Sequence, residues 1–375
     1  MHQRRRWANS AMGRLLLGAV AALLAACTPA AAPSSAPPPA ATAPQAPPAA
    51  APTAPPAPDR VRLGTLSPSS SDAGWVIALD KGYFQEQRLE VETTVFNSAA
   101  DMIAPLSVGQ LDAGGGAISA GLFNAIARGI ELRIVADKGG NNKGFSYTAL
   151  MVRRDLVDSG EVRGPADLRG RRIGLPSLGG VSPEAALDRL LGSVGLSTRD
   201  VDLTLVPFPD QPAAFAGRSL DASMLIEPFV TIAAEQGVAT IFLRQDEWYP
   251  EQQVAVILFA EAFARQQPDV GRRFLLAYLK GVRDYNDAFG KRDPAKRREV
   301  IDILTRQTAL KDPAIWEKVT VPSLDPNGRV SRTSMEQDQE YYLRAGKQQE
   351  RANLDQIVDM SFADWAVQQL GPYQP

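Results

Sequence analysis

Three stretches of this sequence combine side-chain hydroxyls, glycine amides and the start of a helix, the chemistry of holding a polar or anionic group without reacting with it. The first is Ser67-Pro68-Ser69-Ser70-Ser71-Asp72. There the hydroxyls of Ser69, Ser70 and Ser71 and the unpaired N–H groups of the following helix reach one point, and the same residues also read as an ordinary Ser/Asp cap. Trp75, one turn further on, is either a core residue or an aromatic wall for a ligand's apolar body. In the second stretch, Gly114-Gly115-Gly116, the glycines Gly115 and Gly116 let a bound group come close to backbone amides, and Ser119 follows as a hydroxyl donor. The run lacks the GxGxxG spacing and any Walker lysine, so it is not a nucleotide fingerprint.

The third stretch is Ser177-Leu178-Gly179-Gly180-Val181-Ser182-Pro183. It offers Ser177 and the amides of Gly179 and Gly180 as an anion or carboxylate cradle, with Ser182 as N-cap and Pro183 in the first helical position. Lys138 supplies a cation at the end of a strand or is a solvated loop lysine. Phe208 lines the ligand space or packs in the core. Glu227, before Pro228, accepts from a ligand amine or amide, or serves as a charge partner at a helix start.

Counting residues removes much reactive chemistry. The 375 residues hold one histidine, His2, and one cysteine, Cys27, so no Ser-His-Asp triad, Cys-His pair, Cys/His zinc site or internal disulfide can be built. No catalytic residue, metal or cofactor is assigned, and the expected protein is not an enzyme. The runner-up is an enzyme or ligand sensor using Glu227 or Asp72, with a carboxylate as general base. Lys plus Arg total 40 against 42 acids, a net charge of −2 without a basic stripe, which argues against a nucleic-acid partner. Asp112 and Asp221 resemble paired carboxylates, but each follows Leu and precedes Ala at equivalent places, which reads as one structural task done twice.

The first sixty residues read as an address. Arg4, Arg5 and Arg6 precede a short uncharged apolar run, Leu15 to Ala26, which ends in Leu-Ala-Ala-Cys27. The run falls short of the roughly 20 residues that span a bilayer, so it reads as a secretory signal rather than an anchor. The only cysteine stands where a bacterial lipobox places its lipidated residue. From Thr28 to Asp59 the chain is nearly all Ala, Pro, Ser and Thr. Such a tether, at about 3.1 Å per residue, spans as much as ~90 Å in polyproline form.

The elements that must position these residues come in a doubled series. Val61 to Leu66 reads as a strand, Ala73 to Lys81 as a helix, Leu89 to Phe96 as a strand and Ala99 to Val108 as a helix, followed by Leu111-Asp112-Ala113. The order recurs with a strand Arg171 to Leu175, a helix Pro183 to Gly192, a strand Val201 to Phe208 and a helix Gln211 to Ala216, followed by Leu220-Asp221-Ala222. Alternating strands and helices imply parallel pairing with ligands beyond the strands' carboxyl ends. Two α/β lobes facing one another would then share one cleft. Tyr147 to Val152 and Val254 to Phe259 are expected to be the two crossings between lobes, and the remainder reads as helices packed on the first lobe.

Several motifs together resemble the periplasmic-type solute-binding proteins of ABC importers: the signal and lipobox, Ala78-Leu79-Asp80-Lys81-Gly82-Tyr83-Phe84, Gly109-Gln110-Leu111-Asp112-Ala113, Asp167-Leu168-Arg169-Gly170-Arg171-Arg172-Ile173-Gly174, and Leu220-Asp221-Ala222 before Glu227-Pro228. The branch resembled serves alkanesulfonates, taurine, nitrate, aromatic acids and pyrimidine precursors of thiamin. It implies a type II periplasmic binding protein fold with a two-segment hinge and a helical C-terminal tail on lobe 1. The corresponding division is a lipoprotein signal at 1–26, a lipidated cysteine and tether at 27–59, lobe 1 at 60–147 and 260–375, and lobe 2 at 148–259. The implied partners are a small organic ligand, an ABC permease with its ATPase, and the membrane through the lipid anchor, with the protein itself a monomer. The thiamin-pyrimidine synthases of the same fold use a histidine and a cysteine-rich motif; here the one histidine is His2, in the signal segment, and the one cysteine is Cys27, so neither feature is available to the lobes.

Overall fold

The computed structural model describes residues 57–66, 70–96, 99–308 and 310–374. The signal segment, Cys27, the tether up to residue 56, and Ser69 lie outside the described residues. All the described residues belong to the unit that begins at Pro56.

Two five-stranded sheets organise the chain. The first contains β1 (Asp59–Leu66), β2 (Leu89–Phe96), β3 (Ala113–Ala117), β4 (Leu132–Asn141) and β10 (Gln252–Ala260), in the order β2-β1-β3-β10-β4. The second contains β5 (Thr148–Arg153), β6 (Arg172–Leu175), β7 (Asp202–Leu205), β8 (Ala222–Ile226) and β9 (Ala239–Arg244), in the order β7-β6-β8-β5-β9. β1 pairs parallel with β2 and β3, and β6 pairs parallel with β7 and β8. One strand in each sheet runs against its neighbours, β10 in the first and β5 in the second. The architecture is α/β with two similar, mostly parallel sheets.

The antiparallel strands correct the expected crossings. Tyr147 to Val152 and Val254 to Phe259 fall largely in β5 and β10, the strands by which the chain enters each new sheet. The crossings precede them, at residues 142–147 and 245–251. Residues 252–259, expected in lobe 2, therefore belong to the first sheet. All nine residues of β10 are buried, because a central strand is covered on both faces and by two neighbours.

The same ion pair starts both lobes. In the first, the backbone N–H and guanidinium of Arg62 donate to Asp112 at 2.6–2.9 Å. In the second, Arg172 repeats the three bonds to Asp221 at 3.0–3.2 Å. Each aspartate thereby ties the beginning of one strand to its parallel neighbour, the structural task expected of it.

The helical tail builds most of the first lobe's core. Helix Pro268–Phe289 buries Phe274, Leu275, Tyr278, Leu279 and Val282. A Cβ on Gly281 would lie 2.1 Å from the carbonyl oxygen of Gly74, so this helix and helix Ala73–Asp80 touch backbone to backbone. Helix Arg332–Arg344 contributes Met335, Tyr341 and Tyr342 to the same core.

Candidate ligand site

At the carboxyl end of β1, the turn Ser70–Asp72 leads into helix Ala73–Asp80 and is buried. Asp72 accepts the backbone N–H of Leu66 and lies 2.5 Å from the ammonium of Lys138. Lys138 stands inside β4 rather than on a loop after it, is 1% exposed, donates to Ser71 Oγ at 2.8 Å and sits 5.0 Å from the Trp75 ring centroid. The expected cation is thus already neutralised by Asp72. Burial pushes the Asp72 carboxyl above the usual range while Lys138 pulls it back.

The triple glycine is corrected in the same way. Gly115 and Gly116 lie within β3, opposite Ile257 and Val256. A Cβ on Gly115 would stand 2.7 Å from Lys138 Cε and 2.9 Å from Trp75 Cη2, and one on Gly116 would stand 2.6 Å from Leu258 Cδ1. These glycines make room for protein side chains. Ser119 caps helix Ala120–Ala127, its oxygen accepting the Leu122 N–H at 3.2 Å.

Two groups in this floor are unspent. Ser70 Oγ and Trp75 Nε1 are buried and have no hydrogen-bond partner among the described residues. An indole N–H only donates, so its complement is an acceptor, and an unmet buried donor costs about 1–3 kcal/mol. Trp75 takes the core reading: it is 1% exposed and its ring packs near Tyr278, while its N–H has no partner among the described residues.

The second-lobe loop does not offer the free amides expected. The Gly179 N–H donates to Ser177 Oγ at 3.2 Å, and the Gly180 N–H donates to Glu184 Oε2 at 3.1 Å, so the cradle already holds a carboxylate of its own helix. Ser182 does not cap that helix; its hydroxyl donates across to the carbonyl of Ile118 at 2.9 Å, and its N–H does so at 3.2 Å. Ala120 N–H returns a bond to Gly180 O at 2.8 Å. The loops beyond β3 and β6 therefore meet, bringing together strand ends of both sheets. Phe208 lies beyond β7 in the turn Phe208–Asp210, half-buried against the second lobe's core.

Glu227 resolves to the structural alternative. Its carboxylate is fully buried and accepts the N–H groups of Thr231, at the start of helix Phe229–Glu235, and of Thr320 in the tail, at 2.9 and 3.2 Å. Burial raises its pKa, with these amides opposing. The two acids of the alternative enzyme reading, Glu227 and Asp72, are both engaged in contacts that hold the fold. Sequence reasoning missed Glu184, Tyr341 and Lys347, which share the second-lobe loop; their separation along the chain leaves no local pattern to read.

Two α/β lobes, two crossings, an antiparallel strand at each entry and strand ends meeting between the sheets define the class of periplasmic binding protein folds. The chain belongs to the NMT1-like family, whose model matches residues 54–305. A protein of Brucella abortus named as a binding protein is 26% identical over 230 residues, 61% of this chain and 67% of its own. The alkanesulfonate-binding protein of Xanthomonas axonopodis pv. citri, bound to MOPS, superposes with a TM-score of 0.64 at 20% identity, covering 80% of this chain and 98% of that one. The periplasmic nitrate-binding protein of Synechocystis gives 0.64 at 15%, covering 84% and 89%.

Proposed function

We propose that this protein is the extracytoplasmic substrate-binding component of an ABC importer. It captures a small organic solute, an organic acid, sulfonate or heterocycle, by closing its lobes and delivers it to a permease driven by its ATPase. The observation that carries this reading is the pair of buried polar groups without a hydrogen-bond partner among the described residues, Ser70 Oγ and Trp75 Nε1, at the carboxyl end of β1. Ser69, Ser70, Ser71, Trp75, Ser119, Ser177 and Phe208 supply the contacts, with Lys138, Gly115 and Gly116 shaping the floor behind them. Lobes linked by two short crossings close when contacts to both favour the closed state, so selectivity is a difference of affinity between two states. The named ligands of its relatives in fold, sulfonates and nitrate, support an acceptor-rich solute facing these donors. In this reading Cys27 carries lipid, the Ala/Pro-rich segment gives reach from the membrane, and the protein works as a monomer.

Native mass spectrometry of the full-length protein, released from its host without refolding, tests the reading. A co-purified solute of definite mass, lost on unfolding and lost from the Trp75→Phe variant, is the expected result. No retained solute, and no thermal shift across a panel of organic acids, sulfonates and heterocycles, would overturn it.

A further inference from the structure

We propose that the tail segment from Arg332 to Gln348 is a clamp between the lobes, and that Lys347, acting through Glu184, is the positioning residue of the second-lobe loop 177–182. The inference rests on the reading of that loop as part of the ligand site.

Helix Arg332–Arg344 belongs to the first lobe by its apolar face, yet several of its polar groups reach the second lobe or the second crossing. Tyr341 donates to Glu184 Oε1 at 2.7 Å, Arg344 pairs with Asp188 at 2.6 Å, and Tyr249, from the second crossing, donates to Asp338 at 2.8 Å. Lys347, just beyond the helix, pairs with Glu184 and donates to the carbonyl of Leu178 at 2.8 Å. Glu184 is fully buried, with Oε1 held by Tyr341 and Lys347 from the first lobe and Oε2 by the Gly180 amide of its own. A carboxylate taken out of water is stable only while such partners remain. One side chain therefore joins the tail of lobe 1 to the backbone of the loop.

Gly180 shows how closely the parts are fitted. It has a left-handed φ of +79°, and a Cβ there would lie 2.9 Å from Ala120 Cβ and 3.2 Å from both Lys347 and Tyr342. Three pieces of chain, the loop after β3, the loop after β6 and the tail, meet at that residue. Leu178 and Gly179 remain exposed beside it. The loop is thus fixed at Gly180 and Ser182 and open at its tip, with Lys347 grasping the carbonyl of Leu178 at the boundary.

Site-resolved hydrogen exchange of the full-length protein without solute tests the clamp, because Gly180 N–H reports its bond to Glu184 and Ser182 N–H reports the bond across the lobes to Ile118. Lys347→Ala is expected to speed exchange at both amides about tenfold or more while β1 and β6 keep their protection. Lys347→Arg, which keeps the cation, restores protection. Arg344→Ala, which cuts the outer pair and leaves Glu184 untouched, changes these two amides by about twofold or less. Should Lys347→Ala not fold, Tyr341→Phe removes one donor from Glu184 at nearly constant volume and is read at the same amides. Unchanged exchange at Gly180 and Ser182, or an equal rise throughout both lobes, overturns the proposal. Because no solute is present, these outcomes are independent of the importer reading: a responsive loop in a protein that binds nothing keeps the clamp and removes the receptor.

Discussion

Gly115 lacks a side chain because two larger ones occupy the space it would need. Trp75 and Lys138 approach its Cα face from helix Ala73–Asp80 and from β4, and Lys138 is held in turn by Asp72 and Ser71. Gly115→Ala is expected to destabilise the protein by about 1–3 kcal/mol through overpacking, read as a lower urea midpoint. The same variant shifts the indole and should weaken solute binding by more than the stability loss alone predicts. A methyl accepted with neither effect would mean that Trp75 and Lys138 have slack, and that the floor is less constrained than these distances imply. The residue types in this floor were legible in the sequence, since hydroxyls, glycines and a lysine were all singled out. Their roles were not, because a role is a partnership: nothing near Lys138 in the chain announces that Asp72 neutralises it, and nothing near Glu227 announces Thr320.

At the scale of elements, most of the alternating strands and helices were legible to within a residue or two. β2 and helix Gln211–Ala216 fall at their expected limits. The strand expected over Val201 to Phe208, however, ends at Leu205, with Phe208 in the turn that follows. The helix expected over Ala99 to Val108 is a turn, Ala100–Met102, followed by a short helix, Ile103–Ser107. The crossings were misplaced because β5 and β10 are continuous apolar runs whose sequence does not say which sheet surrounds them. β10 carries a further consequence at its entry. Gln252 and Gln253, both buried, donate to two carboxylates from different elements, Asp338 on helix Arg332–Arg344 and Asp137 on β4. Burial pushes both acids up to about 7. Asp338 faces Tyr249 and Gln252, with Arg189 and Tyr342 nearby, and Asp137 faces Gln253, the amides of Gly139 and Asp325, and Tyr147, Tyr278 and Tyr285. A carboxyl whose folded pKa exceeds its unfolded value keeps its proton longer in the native state, so stability falls as pH rises from about 4 to about 7. Asp221 and Asp284, held low by Arg172 and Lys81 against desolvation, act below that window, where their contribution is lost as pH falls. The expected profile has its maximum on the acid side of neutrality, with a limiting slope of about 1.4 kcal/mol per pH unit for each raised group. Asp137→Asn and Asp338→Asn should each flatten the fall between pH 5 and 7 in urea titrations. A wild-type stability that rises across this interval would contradict the assignment.

At the scale of the whole molecule, two internally braced lobes are joined at contacts of different kinds. Arg62–Asp112 and Arg172–Asp221 stiffen each sheet at its far end, whereas the lobes meet through loops 118–120 and 180–182, the tail segment at Lys347, and Thr320 on Glu227. Closure can therefore change the relation between lobes while leaving each sheet intact. A solute that touches both lobes must stabilise that relation as well as the fold. At a hundredfold excess over Kd the gain is about 2.7 kcal/mol for one site, visible as a saturating rise in thermal midpoint. It should be accompanied by a smaller radius of gyration in solution scattering. The two measurements separate mechanisms. A midpoint that rises at constant radius would mean that the ligand sits on the Ser70–Trp75 floor of one lobe, and that binding does not drive closure. A midpoint and radius that move together, both abolished by Trp75→Phe, would mean that the unspent donors of the first lobe reach a solute that the second lobe also holds, because only a ligand shared between lobes makes their approach favourable.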